Sequence, residues 1–299
     1  MKQKILFSFF IFFLTVNLSV EAQYYTPSRN DNMVRDLDIT PDVIEPVVDN
    51  TDSSTIDWTE QYVEATGYSV IDNQRFPIPA QAMLMARRGA VVVAQRNLLE
   101  IVKGVRVVGE TTVEDMITTN DYVYSRVDGV LKGAEMVGDY REQNGYVEVT
   151  LRVSIYEPNG IAPAVYNGLR IEPSEEQGTI TPEELQLLPR IVVDVNNNAT
   201  NNNSRNQQPP IFPKIVDNNG NVILDLARYY DPTTGSFPQV ISGTETIRNQ
   251  FGNEVQVLNA ITNSNGDYQV DIANNDVWKK RMELLKKVVN ISKYLLLLL

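Results

Sequence analysis

The chain has 299 residues, 26 Lys and Arg against 38 Asp and Glu, a formal net charge of −12, and neither His nor Cys. That composition excludes Ser–His and Cys–His nucleophile pairs within the chain, along with the usual zinc, copper and haem ligand sets, and leaves carboxylate, Lys or Tyr chemistry or an all-oxygen cation site. The acidic balance argues against nucleic acid as a partner, and the missing Cys removes disulfides and any cysteine-linked lipid.

The opening "MKQKILFSFFIFFLTVNLSVEAQYY" places Lys2 and Lys4 before an apolar run from Ile5 to Val16, with Val20 and Ala22 where a signal peptidase reads. Residues 1–22 are therefore expected to be a secretory signal, with export to the periplasm or the extracellular space. The run is shorter than a membrane span, so no transmembrane span is expected after signal removal. Residues 23–57 are acidic and turn-prone without sustained periodicity, and are expected to form a flexible linker.

A first domain is expected over 58–157. "YVEATGYSVI" (Tyr62 to Ile71) reads as a strand, and "RFPIPAQ" interrupts it before a long helix. In "QAMLMARRGAVVVAQRNLLEIVKGVRV" the residues Met83, Ala86, Ala90, Val93, Ala94, Asn97, Leu98 and Ile101 share one helical face. Arg87, Arg88, Gln95, Arg96, Glu100 and Lys103 lie mostly outside it. Ala82, Ala86, Ala90 and Ala94 form a ridge of small side chains suited to close packing on a sheet. Lys103 suits the helix C-terminus, and Gly104 is expected to cap it in the left-handed conformation.

Gly104 and Gly109 have the spacing of a phosphate loop, but Glu110 and Thr111 follow where Lys and Ser/Thr are required, and helix precedes strand instead of following it. No nucleotide or other cofactor is expected. "NDYVYSRVDGVLKG" then predicts a second helix with Asn120 or Asp121 as N-cap and Gly133 as stop. "AEMVGDYRE" and "YVEVTLRVSIY" read as strands paired across the Asn144-Gly145 turn, with Val147, Val149, Leu151, Val153 and Ile155 facing inward. The fold class expected is α+β, helices packed on one face of a twisted antiparallel sheet, followed by a smaller second α+β domain.

Residues 158–190 read as a Pro-rich connection, and the second domain over 191–299 begins with "RIVVDV" and an Asn-rich loop, 196–210. Hairpins are expected at Asn219-Gly220 and in "TNSNGD", and a helix in "NNDVWKKRMELLKKVVN" with Val277, Met282, Leu285 and Val288 on one side. The final Leu295 to Leu299 is far short of a membrane span and is read as a buried strand of the second sheet.

The chemical candidates all have plainer structural readings. Asp217-Asn-Asn-Gly-Asn and Asn263-Ser-Asn-Gly-Asp resemble pieces of calcium loops, but Ile215 and Ile261 stand where the first carboxylate belongs, so both are read as turns and no metal site is expected. Asn97 is read as an amide bonded to nearby backbone. Glu114/Asp115 and Glu183/Glu184 are carboxylate pairs of a kind an acidic chain contains without catalysis. Arg87, Arg88 and Arg96 form a cationic spot that an acidic partner would fit, and that charged helix faces also carry for solvation. Sequons occur at Asn198, Asn202 and Asn290.

"AQRNLLEIVKGVRVVGETTVEDM", continuing through "YVYSRVDGVLKGAEMVGDYREQNGYVEVTLRVSI", resembles the domain shared by the bacterial lipoprotein-20 family and the N-terminal part of flagellar assembly protein T. The shared elements are Arg96 to Glu100, the Gly104-Val105 strand start, Val127, Gly129, Gly133 and Ala134, and the closing "VEV" strand, within about 62–156. "PKIVDNNGNVI" and the final helix and apolar strand resemble the C-terminal half of longer exported members. The resemblance implies no catalytic residues, and the absent lipobox Cys removes the lipid tether. Together these readings lead to the expectation of an exported, non-catalytic structural or interaction module of the bacterial cell envelope, accessory to a surface or flagellum-like assembly, with a protein partner. The alternatives are an envelope ligand- or glycan-binding protein and a carboxylate-dependent hydrolase.

Overall fold

The structure is a computed structural model that describes residues 48–51, 53–169, 171, 179–186, 188–195, 208–241, 247, 255–288 and 290–298. The expected signal and most of the Asn-rich loop lie outside the described residues. The chain enters an antiparallel sheet through β1 (Val48–Asn50), β2 (Ser54–Asp57) and β3 (Tyr62–Val70). β1 and β2 fall within the stretch expected to be a linker, and they pair instead: Val48 lies opposite Asp57, and Ile56 opposite Val63. Trp58, fully buried, closes this segment onto the core.

After β3 come α1 (Pro79–Gly104), β4 (Arg106–Val108), β5 (Thr111–Thr112), α2 (Val113–Thr119) and α3 (Asp121–Lys132), then β6 (Glu135–Met136), β7 (Arg141–Gln143) and β8 (Tyr146–Ser154). The first sheet runs β1-β2-β3-β8-β6, with β7 also on β8, and is antiparallel throughout. Tyr62 pairs with Ser154 and Val70 with Tyr146, so Val63, Ala65 and Gly67 share the inner face with Val147, Val149, Leu151 and Val153. At the β7–β8 turn Asn144 and Gly145 have φ of 50° and 81°, the two positive angles of a type I′ hairpin.

The Ala ridge does the packing that its spacing implies. Ala82, Ala86, Ala90, Ala94, Leu98 and Val102 are buried against the sheet. A Cβ on Gly67 would lie 2.3 Å from Ala90 O and 2.3 Å from Ala94 N, so the strand and helix backbones nearly touch there. Small side chains on both elements permit this approach. Asn97 donates from Nδ2 to Thr66 O at 2.8 Å, a bond to neighbouring backbone as its place on the apolar face implied.

The expected left-handed cap at Gly104 is corrected by the structure. Gly104 is the last residue of α1, Val105 follows in extended conformation with its N–H on Val102 O, and the positive φ of 56° belongs to Gly109, in the turn between β4 and β5. The Val-rich strand therefore starts directly from the helix, and the left-handed residue is the one that turns β4 back on β5. Asn120 caps α3 by accepting from Tyr122 N and Val123 N, and Gly133 ends it by donating to Gly129 O.

The segment read as a connection contains α4 (Ile161–Tyr166), whose first five residues are all buried, and α5 (Pro182–Gln186). Beyond it β9 (Arg190–Asp194), β10 (Lys214–Val216), β11 (Val222–Asp225), β12 (Gln239–Ile241), β13 (Val255–Thr262), β14 (Tyr268–Val270), α6 (Asp276–Lys286) and β15 (Leu295–Leu298) complete the described elements. The second sheet is mixed, in the order β11-β10-β14-β13-β9-β15-β12. Both expected hairpins are present, with φ of 82° at Gly220 and 80° at Gly266.

β15 is the buried strand expected of the terminal leucines, parallel to β9 on one side and β12 on the other. Leu295 and Leu297 enter the main core, whereas Leu296 and Leu298 pack with Val192, Ile241 and Ile247 on the opposite face. Burial on both faces explains a continuous apolar run where an alternating one would serve a half-exposed strand. On α6, Met282 and Leu285 are buried but Val277 is exposed.

The two sheets share one core. Tyr156 stacks on Phe237 at a centroid distance of 4.3 Å, and Tyr166, Phe212 and Tyr230 surround them. Tyr156 donates its hydroxyl to Ile211 O at 2.8 Å and Tyr230 to Tyr156 O at 2.7 Å, so both of these buried phenols are satisfied.

Candidate functional site

A groove opens where the first sheet, α3 and the segment leading into α4 meet. Its sheet wall starts at a turn in which Asp57 Oδ1 accepts from Glu60 N at 2.8 Å and Gln61 takes a φ of 60°, in the left-handed region. Tyr62 and Arg152 follow on the outward face. The Arg152 guanidinium lies 3.8 Å from the Tyr62 ring centroid and grips Glu64 Oε1 through Nη2 at 2.5 Å and Nε at 2.6 Å. Glu64 is the cross-strand partner of Arg152 on β3, and Glu135 is its partner on β6. Burial, reinforced by Glu64 and Asp57, holds the Tyr62 phenol above its ordinary value.

The opposite wall combines glycines and Ser125 with Arg126, Val130 and Glu135. Ser125 and Gly129 on α3, with Gly133 at its C-terminal cap, are spaced four residues apart and line with Pro158, Asn159 and Gly160 a space of about 470 Å³. Gly160 is dictated by packing, since a Cβ there would lie 2.6 Å from Ser154 O and 2.8 Å from Ile155 O. A second compartment of about 290 Å³, bordered by Glu60, Gln61, Tyr62 and Glu157, shares Val130, Gly133, Glu135 and Asn159 with the first. Glu60, Glu135 and Glu157 are exposed and form no ion pair among the described residues, whereas Arg152 is neutralised by Glu64.

A separate feature is the solvent face of α1. Leu84, Arg88, Val92 and Arg96 stand four residues apart in one exposed stripe, with Met85 beside it; Leu84 is 59% and Val92 55% exposed. Arg88 and Arg96 make no ion pair among the described residues, while Arg87 rests over the Tyr140 ring at 5.0 Å. The expected cationic spot thus resolves into two free guanidinium groups interleaved with apolar side chains, and one that packs on an aromatic ring.

The remaining sequence candidates serve local structure. Glu114 pairs with Lys103 at 3.3 Å, and Asp115 closes a capping box with Thr112 that lowers its pKa through backbone and side-chain hydrogen bonds. Glu184 Oε2 accepts from Thr181 N, and its Oε1 lies 3.8 Å from Lys287 Nζ. Asp217 Oδ1 accepts from Asn219 N and Asn221 N, and Asn263 Oδ1 repeats the arrangement with Asn265 N and Asp267 N, so both calcium-like fragments are side-chain-closed hairpin turns. Among the described residues no group of three or more Asp and Glu side chains is placed to hold a metal ion. Of the sequons, Asn290 is exposed, and Asn198 and Asn202 lie outside the described residues.

Sequence reasoning missed the groove because its walls come from residues 60–62, 125–135 and 152–160, none of which carries a motif. The signal that was present is Gly129, a glycine inside a helical pattern. The fold and surface define an α+β protein with an exposed apolar–cationic helix stripe and a polar groove, and no helix among the described residues is long and apolar enough to cross a membrane. No protein-family model matches the chain, and no curated protein matches it significantly.

Proposed function

We propose that the protein is an exported, non-catalytic interaction module of the bacterial cell envelope, accessory to a surface assembly, and that it docks an acidic protein partner through α1. The observation that carries this reading is the exposed stripe Leu84, Arg88, Val92 and Arg96. Most of the solvent-facing positions of an ordinary surface helix are polar, so exposed Leu84 and Val92 beside Arg, a residue enriched at interfaces, give α1 an apolar area and a charge that a partner can cover. A chain of net charge −12 would repel an acidic partner over most of its surface, so a locally cationic stripe selects the orientation of approach. The signal-like N-terminus and the resemblance of residues 62–156 to exported envelope domains supply the compartment. The order helix, Gly-Val strand, Gly-punctuated helix and closing strand on which that resemblance rests agrees with α1, β4, α3 and β8.

The test is a charge reversal that leaves the fold alone. Arg88→Glu with Arg96→Glu should keep the wild-type melting temperature, since both side chains are exposed, and should release the protein from whatever envelope complex it co-fractionates with. Unchanged co-fractionation of a folded double variant would exclude α1 as the docking surface.

A further inference from the structure

The groove beside α3 contains a glycine for which the fold has no use. Gly129 sits at an exposed position inside α3, where glycine weakens a helix relative to alanine. A Cβ there would meet nothing within 4 Å, in contrast to Gly67 and Gly160, whose neighbours forbid one. What a side chain at 129 would occupy is the groove itself. Gly129 therefore costs helix stability without serving packing. Gln61, which borders the adjoining compartment, takes its φ of 60° as the last residue of the turn joining β2 to β3, and its carbonyl accepts from Ile155 N at 2.7 Å.

We propose that this groove binds an extended peptide segment carrying a Lys or Arg side chain. The compartment beside Tyr62 is lined by Glu60, Glu135 and Glu157, with Arg152 already held by Glu64, so its free charge is negative and it suits a cationic head. The compartment beside α3 offers Arg126, Asn159 and Ser125 as donors to peptide carbonyls, while Gly129 and Gly133 let a backbone come close. The combined space falls within the range of about 300–1,000 Å³ of ordinary ligand sites. An anionic ligand is disfavoured by the same three carboxylates. The proposal is independent of the α1 stripe.

The experiment uses the full chain, the peptide acetyl-(Gly-Lys)4-amide, its lysine-acetylated counterpart and a maltooligosaccharide, read by amide chemical shifts. The Lys peptide should shift amides at Gly129, Gly133, Glu135 and Asn159, and the acetylated peptide should bind about tenfold more weakly. Glu135→Gln with Glu157→Gln should weaken binding about fivefold, whereas Asp276→Asn with Glu283→Gln, which removes the same charge from α6, should leave it unchanged. Gly129→Ala should raise the melting temperature and still weaken the peptide, a combination that a purely structural glycine does not produce. Shifts spread over the whole surface, equal losses from the two double variants, or saccharide shifts in place of peptide shifts would each overturn the proposal. Retention of α1-dependent envelope association alongside any of these results would leave the docking reading intact.

Discussion

Replacing Gly67 with Ala tests the closest contact in the fold. The added Cβ would sit 2.3 Å from Ala90 O, 2.3 Å from Ala94 N and 2.9 Å from Ala94 Cα, all backbone atoms that no rotamer change can move. Relief requires α1 to retreat by about 1 Å to reach ordinary contact distance, and a gap of that size forfeits a quarter to a half of the attraction of each contact it opens. Ala86, Ala90, Ala94 and Leu98 would all lose contact with the sheet, so we expect a loss of about 3 kcal/mol, the upper end of overpacking costs. Gly89→Ala is the matched control: its Cβ would meet Ser69 Oγ at 2.4 Å, which can rotate away, and Ser69 Cβ at 3.0 Å, which needs a shift of only a few tenths of an ångström. Its helix-propensity gain offsets part of the crowding, and the net change should stay within about 1 kcal/mol. Urea unfolding followed by the fluorescence of buried Trp58 measures both. Equal losses from the two variants, or an unchanged midpoint for Gly67→Ala, would show that α1 does not rest on Gly67.

Gly109→Ala should cost about 1 kcal/mol through its positive φ, while Gly104→Ala should be neutral or stabilising by up to about 1 kcal/mol because it extends a helix into open space; thermal melts separate them. Leu297→Ala, between Val193 and Val240 in the parallel sheet, should cost about 2–5 kcal/mol, and a melt that barely moves would argue against β15 as a core strand. Asp267 is buried, and its Oδ1 has no hydrogen-bond partner among the described residues. Burial holds its carboxyl above the ordinary carboxylate value despite Lys214. A raised acid favours folding in its protonated form, so its contribution is full below the unfolded-state pKa and is lost as pH rises through the folded one. Asp267→Asn should therefore flatten the fall in melting temperature from about pH 4 upward, and an unchanged pH profile would remove Asp267 as its source.

Periodicity made α1, α3 and β8 legible, because each has one buried face whose spacing survives in the sequence. The Asn-Gly turns were legible because positive φ demands a small set of residues. β1 and β2 were not, since each has no more than four residues and alternation over so few positions cannot be told from a polar linker. α4 was hidden by the prolines around it and by burial on every side, which leaves no amphipathic stripe to detect. Gly104 and Gly109 show the limit of local reasoning: both are compatible with a cap, and only the pairing of β4 with β5 determines which one takes the left-handed angle. The Arg residues of α1 were visible in sequence, but the exposure of Leu84 and Val92 between them depends on which face of the helix meets the sheet. The groove depends on three segments brought together by the fold.

Site-specific photocross-linking in intact cells shows whether α1 docks a partner. A photoreactive residue at Val92 should give a discrete adduct with one envelope protein, and Arg88→Glu with Arg96→Glu should abolish that adduct. The same residue at Val222, exposed on edge strand β11, should give none. Adducts from Val222 as abundant as those from Val92, or a Val92 adduct indifferent to the charge reversal, would exclude α1 as the docking surface.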